Sequence, residues 1–269
     1  MPTLPTLFVS HGAPTFALEP GRAGAGLAAL GRSLPRPRAV LVVSPHWMTR
    51  QPQVTLSFRP ETIHDFGGFG RALHELHYPA AGAHLAALRA LELLQQAGRP
   101  ATGDADRGLD HGAWVPLLHL YPEADVPVFQ VSLPMGLDAE GAWQYGRALA
   151  PLADEGVLIV GSGSLTHNLY EVRFGDPQAE VYAGEFAAWV RAAVLAGDAD
   201  RLRRTLEIAP HAHRAHPTTE HFLPLLVAAG AASQLEPATV IEGGVLHGVL
   251  SMDSFMFGTD LAIEAPARM

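Results

Sequence analysis

The sequence predicts an α/β fold: a single domain with a central, mostly buried β-sheet and helices on both faces. Three observations carry this. The runs Ala39–Val43 and 157–160 are apolar at every position, as expected of strands covered on both sides rather than on one. Helical apolar spacing falls between the strand candidates, the alternation that sandwiches a sheet between helices. No internal repeat, low-complexity tract or linker divides the 269 residues, so the chain reads as one domain, 1–269, with its core from about 7 to 257.

In order, Thr6–Ser10 is a short strand ending at His11-Gly12. Residues 13–21 contain Pro14 and Pro20 and form a loop, and 27–34 a helix. The run from Ala39 ends at Pro45-His46-Trp47, and 54–58 is a strand nearer an edge. Residues 63–70 are rich in glycine and aromatics. They lack a G-x-G-x-x-G after a strand, so they form a loop but not a phosphate cradle. An amphipathic helix covers 82–97 and stops at Gly98-Arg99-Pro100. A polar loop over 106–112 holds Asp110-His111-Gly112, 114–120 is a short helix and 126–133 a strand. Asp138 caps a helix reaching about residue 153. The strand 157–160 runs into Gly161-Ser162-Gly163-Ser164-Leu165-Thr166-His167-Asn168. Helices follow over 181–196 and 200–206. In His216-Pro217-Thr218-Thr219-Glu220-His221, Pro217 holds an extended entry and Thr218 or Thr219 caps a helix running to about Gly230. Residues 239–242 and 249–257 supply the last strands.

Composition excludes several classes of function. With 48% apolar and 17% charged residues the chain is a folded one. A formal charge of −9 argues against a nucleic-acid partner, because phosphate binding needs a basic face. No apolar run is long enough to span a bilayer, and no basic segment followed by a hydrophobic one marks a signal peptide, so the cytoplasm is the expected location. There is no cysteine. Thiolate catalysis, disulfides and cysteine-held metals are excluded, and any metal must be held by histidine, carboxylate, backbone or water.

The 14 histidines are the outstanding feature. His11, His46 and His167 each lie at or shortly beyond the C-terminal end of a predicted strand, where open α/β sheets bind their ligands. His221, at a helix start, faces the positive end of a helix dipole, which disfavours imidazolium and leaves a lone pair for a metal. A single histidine after a strand is more often a hydrogen-bonded loop residue. Three such placements plus a fourth, in a cysteine-free chain, point to a metal site. His64, His111 and His216, in polar loops, form a second rank. His74, His77, His84 and His119 read as surface or satisfied side chains, and His211 and His213 as solvated neighbours of Arg214.

Six segments in register resemble the class III extradiol ring-cleavage dioxygenase superfamily, closest to its 4,5-DOPA extradiol dioxygenase-like family. They are Ser10-His11-Gly12-Ala13-Pro14, Ser44-Pro45-His46-Trp47, Thr62-Ile63-His64-Asp65-Phe66-Gly67-Gly68-Phe69, Leu109-Asp110-His111-Gly112-Ala113-Trp114, Gly161-Ser162-Gly163 with Thr166-His167-Asn168-Leu169, and Pro217-Thr218-Thr219-Glu220-His221-Phe222-Leu223-Pro224-Leu225. The resemblance spans nearly the whole chain. It implies a catalytic domain that opens a small, DOPA-like catechol ring beside its diol with O₂, giving a muconic semialdehyde-type product. It places the metal on His11, His46 and His221, the acid–base group on His167, and His111 in the substrate pocket; His64 and Trp47, within the same motifs, are further candidates for substrate contact. Fe(II) is the implied working metal, and Zn(II) suits three neutral histidines equally.

One branch of the superfamily uses two histidines and a glutamate. Here His221 stands third, and Glu242 is the carboxylate to watch. Arg22, Arg173 and Arg214 are the cations available for a substrate carboxylate. Two other readings stay open: a zinc hydrolase activating water, although no H-E-x-x-H motif is present, and a non-catalytic, Memo-like binding protein. The sequence assigns no oligomeric state.

Overall fold

The two all-apolar runs become neighbours at the centre of one sheet. The computed structural model describes residues 3–258. Its main sheet contains β1 (Thr6–Ser10), β2 (Ala39–Val43), β3 (Val128–Gln130), β4 (Val157–Gly163), β5 (Ala238–Ile241) and β6 (Ser254–Phe257), in the order β3-β2-β4-β1-β6-β5. The first four run parallel, whereas β6 is antiparallel to both β1 and β5.

Strand periodicity explains the two cores. Phe8, Leu41, Val43 and Ile159 point to one face and Leu7, Val9, Val40, Val42, Leu158 and Val160 to the other. The second face is covered by α1 (Gly21–Ser33), through Leu27 and Leu30, and by α3 (His111–Leu120), through Trp114 and Leu117. On the first face lie α2 (His84–Gln96), α4 (Ala139–Leu149), α5 (Val181–Leu195) and α6 (Leu223–Ala231). The helix α6 is buried at every position, which its Leu-Pro-Leu-Leu-Val-Ala-Ala-Gly-Ala sequence allows because no residue in it is charged.

Register positions the functional end. Ser10 pairs with Gly163, and Val43 with Gly161. The parallel strands β1, β2 and β4 therefore finish nearly level, and the segments that follow them emerge on one edge of the sheet.

Several boundaries differ from the sequence reading. The helix α3 starts at His111 rather than near 114, with Asp110 as its N-cap residue. The strand β4 continues through Gly163, because its glycines are paired by β1. Gln53–Thr55 joins Thr102–Asp104 in a separate small parallel sheet. Asp138 caps α4 as expected, accepting from the Gly141 N–H at 2.7 Å. The threonine cap of α6 does not form. Its N-cap residue is Phe222 without a side-chain cap, and the Thr218 hydroxyl donates to Glu220 instead. Pro224 has no N–H, so the first turn has one fewer donor to satisfy. His221 consequently sits in the turn before the helix. Among the described residues no helix is long and apolar enough to cross a membrane.

Candidate metal centre

The end of β4 ties two distant segments together. The His11 N–H donates to the Gly163 carbonyl, and the Ser164 N–H donates to the His221 carbonyl, both at 2.9 Å. A Cβ on residue 163 would collide with that same His221 carbonyl, so the close approach requires glycine. His46 joins from the turn after β2, where the Trp47 N–H reaches back to the Ser44 carbonyl.

The three side chains converge. Nε2 of His11 lies 3.1 Å from Nε2 of His46, and one ring nitrogen from each of His11, His46 and His221 falls within 4.8 Å of the others. Their outward nitrogens explain which atoms face in. The Ser162 hydroxyl has one proton and gives it to the Gly112 carbonyl, which can only accept. It must therefore accept from Nδ1–H of His11, at 3.0 Å. His221 Nδ1 lies 3.1 Å from a Glu220 carboxylate oxygen, again an acceptor. His46 Nδ1 faces the Asp65 carboxylate at 3.7 Å. Acceptors at Nδ1 of His11 and His221 leave Nε2 of each with its lone pair, and the nearby Asp65 charge biases His46 in the same sense.

The rings are held neutral. Burial first, then the neighbouring imidazoles, push His11 and His221 well below the ordinary histidine pKa. Burial and His111 bring His46 down to about 4 against the opposing pull of Asp110 and Asp65. Two lone pairs 3.1 Å apart repel unless a cation lies between them. That separation is also the span of two neighbouring ligands each about 2.0–2.1 Å from one ion. The donor set fits a first-row divalent metal.

His167 and His111 flank the trio. The His167 ring stacks on His221 with centroids 3.5 Å apart and planes 9° from parallel, and the backbone N–H of His167 donates to the Ala215 carbonyl. Burial lowers its pKa to about 4, partly offset by Glu220. His111, the first residue of α3, is buried, with its ring centroid 3.9 Å from that of His46.

Comparison with known proteins decides the class. Residues 6–249 match the family model described as the catalytic LigB subunit of aromatic ring-opening dioxygenase. The chain belongs to this family. It is 40% identical to a protein named 4,5-DOPA dioxygenase extradiol from Escherichia coli K12 over 95% of both chains. It is also 40% identical to a protein of the same name from Beta vulgaris, over 94% of this chain and 96% of that one. A crystal structure of an uncharacterized protein from Escherichia coli K12 superposes with a TM-score of 0.78 at 36% identity, covering 95% of this chain and all of the other.

As an extradiol ring-cleavage dioxygenase of a metal-dependent family, the protein acts on a small aromatic molecule and O₂. The remaining residues sort themselves around that task. His64 turns away from the trio: its Nε2 donates to the Leu76 carbonyl at 2.9 Å and its ring meets the edge of Trp114. Trp47 is buried beneath the Arg107 guanidinium. Glu242 is engaged by Arg22 and Arg191, outside the histidine trio. Arg173 is paired with Asp176 and Glu180, and Arg214 with Glu171 and Glu180. The three arginines considered for a substrate carboxylate thus already carry carboxylates of the dioxygenase itself.

Sequence reasoning missed Ser162, Asp65 and Glu220. All three lay inside the quoted motifs. Selecting by residue type favoured His64 over Asp65, although neighbours in an extended loop point to opposite sides and only one of the two faces the site.

Proposed function

We propose that this dioxygenase uses His11, His46 and His221 to hold Fe(II) and opens a DOPA-like catechol beside its diol. The observation that carries the reading is the convergence of three histidines, one ring nitrogen of each within 4.8 Å of the others, with Nδ1 of His11 and of His221 each turned to an acceptor. The names of the two relatives support the substrate class. His11, His46 and His221 would hold the ion by three ligands only, and iron bound there would supply the electronic link between a closed-shell catechol and O₂. Zn(II) suits the same three nitrogens and would occupy the site without supplying that link.

The chain's own residues do the rest. His167, neutral and stacked beside a ligand, is placed to take a proton from a catechol hydroxyl and to return it to a later oxygen. His111 lines the pocket, with the Phe66 ring edge-on to it at 5.7 Å, forming a wall for a flat aromatic ring. His64 supports that wall through Trp114, which also meets Phe66, and Trp47 adjoins His46 in the chain.

The test is anaerobic loading with Fe(II) or Zn(II), followed by exposure of each form to L-DOPA and simpler catechols in air. Oxygen uptake together with a yellow ring-fission product in the Fe(II) form alone is the expected result. Equal turnover with zinc, or no turnover of any catechol by a fully iron-loaded sample, overturns the proposal.

A further inference from the structure

Asp65 stands apart from the other residues around the trio because it serves two rings at once. It belongs to the glycine-rich loop after residue 62, distant in sequence from every histidine it meets. One carboxylate oxygen, Oδ1, accepts from both the backbone N–H and the ring Nδ1–H of His111, each at 3.0 Å. The other, Oδ2, lies 3.7 Å from Nδ1 of His46. That is beyond a direct hydrogen bond, but within reach of the carboxylate's charge.

A neutral imidazole carries one N–H. A carboxylate at Nδ1 draws the proton there, and Nε2 is left as a lone pair. We infer that Asp65 is a positioning residue: it sets the tautomer and rotation of His111 and biases His46 in the same sense, so that the pocket histidine and a metal ligand are presented together. Three features fit this role. The carboxylate has no competing cation among the contacts of the described residues. Both hydrogen bonds that Oδ1 makes with His111 come from N–H groups, so the carboxylate acts there as an acceptor. The N–H it receives from His111 is also the first of α3, and the positive end of that helix favours an anion there.

The rival is a purely structural one, in which Asp65 caps α3 and pins its loop. Both roles cost stability when removed, so stability does not separate them, whereas the tautomers do. The inference rests on His46 as a ligand and His111 as a pocket residue, but tautomers are read on metal-free protein and do not depend on any assay of ring cleavage.

The experiment is long-range proton–nitrogen correlation of the imidazoles in metal-free wild type and Asp65→Asn, with Asp65→Glu as the conservative variant. Wild type should show His111 and His46 protonated at Nδ1. In Asp65→Asn the amide N–H₂ group faces the rings as a donor, and at least one ring should move to the Nε2–H form. Zn(II) affinity should fall roughly 10–100-fold, the usual effect of losing a partner behind a metal-bound histidine, and kcat should fall more than KM rises. Asp65→Glu should restore the Nδ1–H form at least in part. If Asp65→Asn keeps both rings protonated at Nδ1, Asp65 is only a cap and the inference fails, whatever happens to Tm. If wild type itself holds His111 in the Nε2–H form, the inference fails without any variant. A protein that cleaves no catechol yet shows the tautomer shift would sink the proposed function and leave the role of Asp65 standing.

Discussion

The site has two walls of different construction. One is made of strand ends: His11 after β1 and His221 before α6, both buried and both tied by backbone hydrogen bonds to the last residues of β4. The other is the loop from 62 to 70, in which Gly67, Gly68 and Gly70 have open space around them. There Phe69 reaches the exposed Phe174 of a facing loop, with ring centroids 6.0 Å apart. The proposed ligand positions are thus inherited from sheet register, whereas the proposed substrate side is carried by a segment that can change without disturbing the sheet. Metal binding and substrate handling should therefore respond differently to substitution.

The largest contrast is expected between the proposed ligands and the other histidines of the site. His46→Ala should lose metal and activity together, since its Nε2 stands 3.1 Å from that of His11 at the centre of the cluster. His167→Ala should keep most of its metal and lose turnover by roughly 10²–10⁴-fold, the usual range for general acid–base catalysis. Metal per protein has to be quantified beside oxygen uptake, because zinc occupancy masks an iron-dependent rate. A His167→Ala protein as metal-free as His46→Ala would make His167 a fourth ligand and pass the proton-transfer role to His111.

These two walls were unequally legible. The strand-end wall could be read because buried parallel strands leave a strong signal: Ala39–Val43 and 157–160 are apolar throughout, and the segments just beyond them emerge on one edge of the sheet. The continuation of β4 through Gly161-Ser162-Gly163 was hidden, since those glycines and serine have no strand propensity and are extended only because β1 and β2 pair with them. With that extension hidden, so was Ser162, whose role depends on a carbonyl 50 residues away in sequence. The loop wall carried no periodicity to indicate which side chains face inward. Asp65 is identified only by its distance to His111.

His216 offers a pH test on the buried side. It is buried, its Nε2–H donates to the Leu165 carbonyl at 2.9 Å, and burial lowers its pKa to about 4. The unfolded chain titrates near 6.5, so between about pH 6.5 and 4 the unfolded state binds more protons at this position. Its contribution is fully present above 6.5 and is lost as pH falls towards 4, by roughly 3 kcal/mol at the limit. His216→Asn keeps a donor for Leu165 but cannot titrate. The stability gap between wild type and this variant, measured by urea unfolding of metal-free protein, should therefore shrink on acidification. A gap that stays constant from pH 7 to 4.5 would mean that His216 binds its proton equally in the folded and the unfolded chain, with no shift from burial.

The smallest effects come from glycines, and they compare the walls most directly. At Gly163 an added methyl meets the His221 carbonyl and the Phe8 ring. Neither can withdraw easily, because the carbonyl is bonded to Ser164 and Phe8 is fully buried. Gly163→Ala should cost about 1–3 kcal/mol, as overpacking of a tight core does, and should lower metal content by displacing His221. At Gly67 an added methyl meets nothing within 4 Å, and the backbone is not left-handed. Gly67→Ala should leave metal content unchanged and stability within about 0.5 kcal/mol of wild type, with any gain arising from a less flexible unfolded chain. Its effect belongs in KM, because only the loop facing the substrate is stiffened. Thermal melts and metal analysis of the two variants side by side make the check. If Gly67→Ala loses metal as Gly163→Ala does, the two walls are mechanically one, and the division between a sheet that holds the ion and a loop that handles the substrate has to be abandoned.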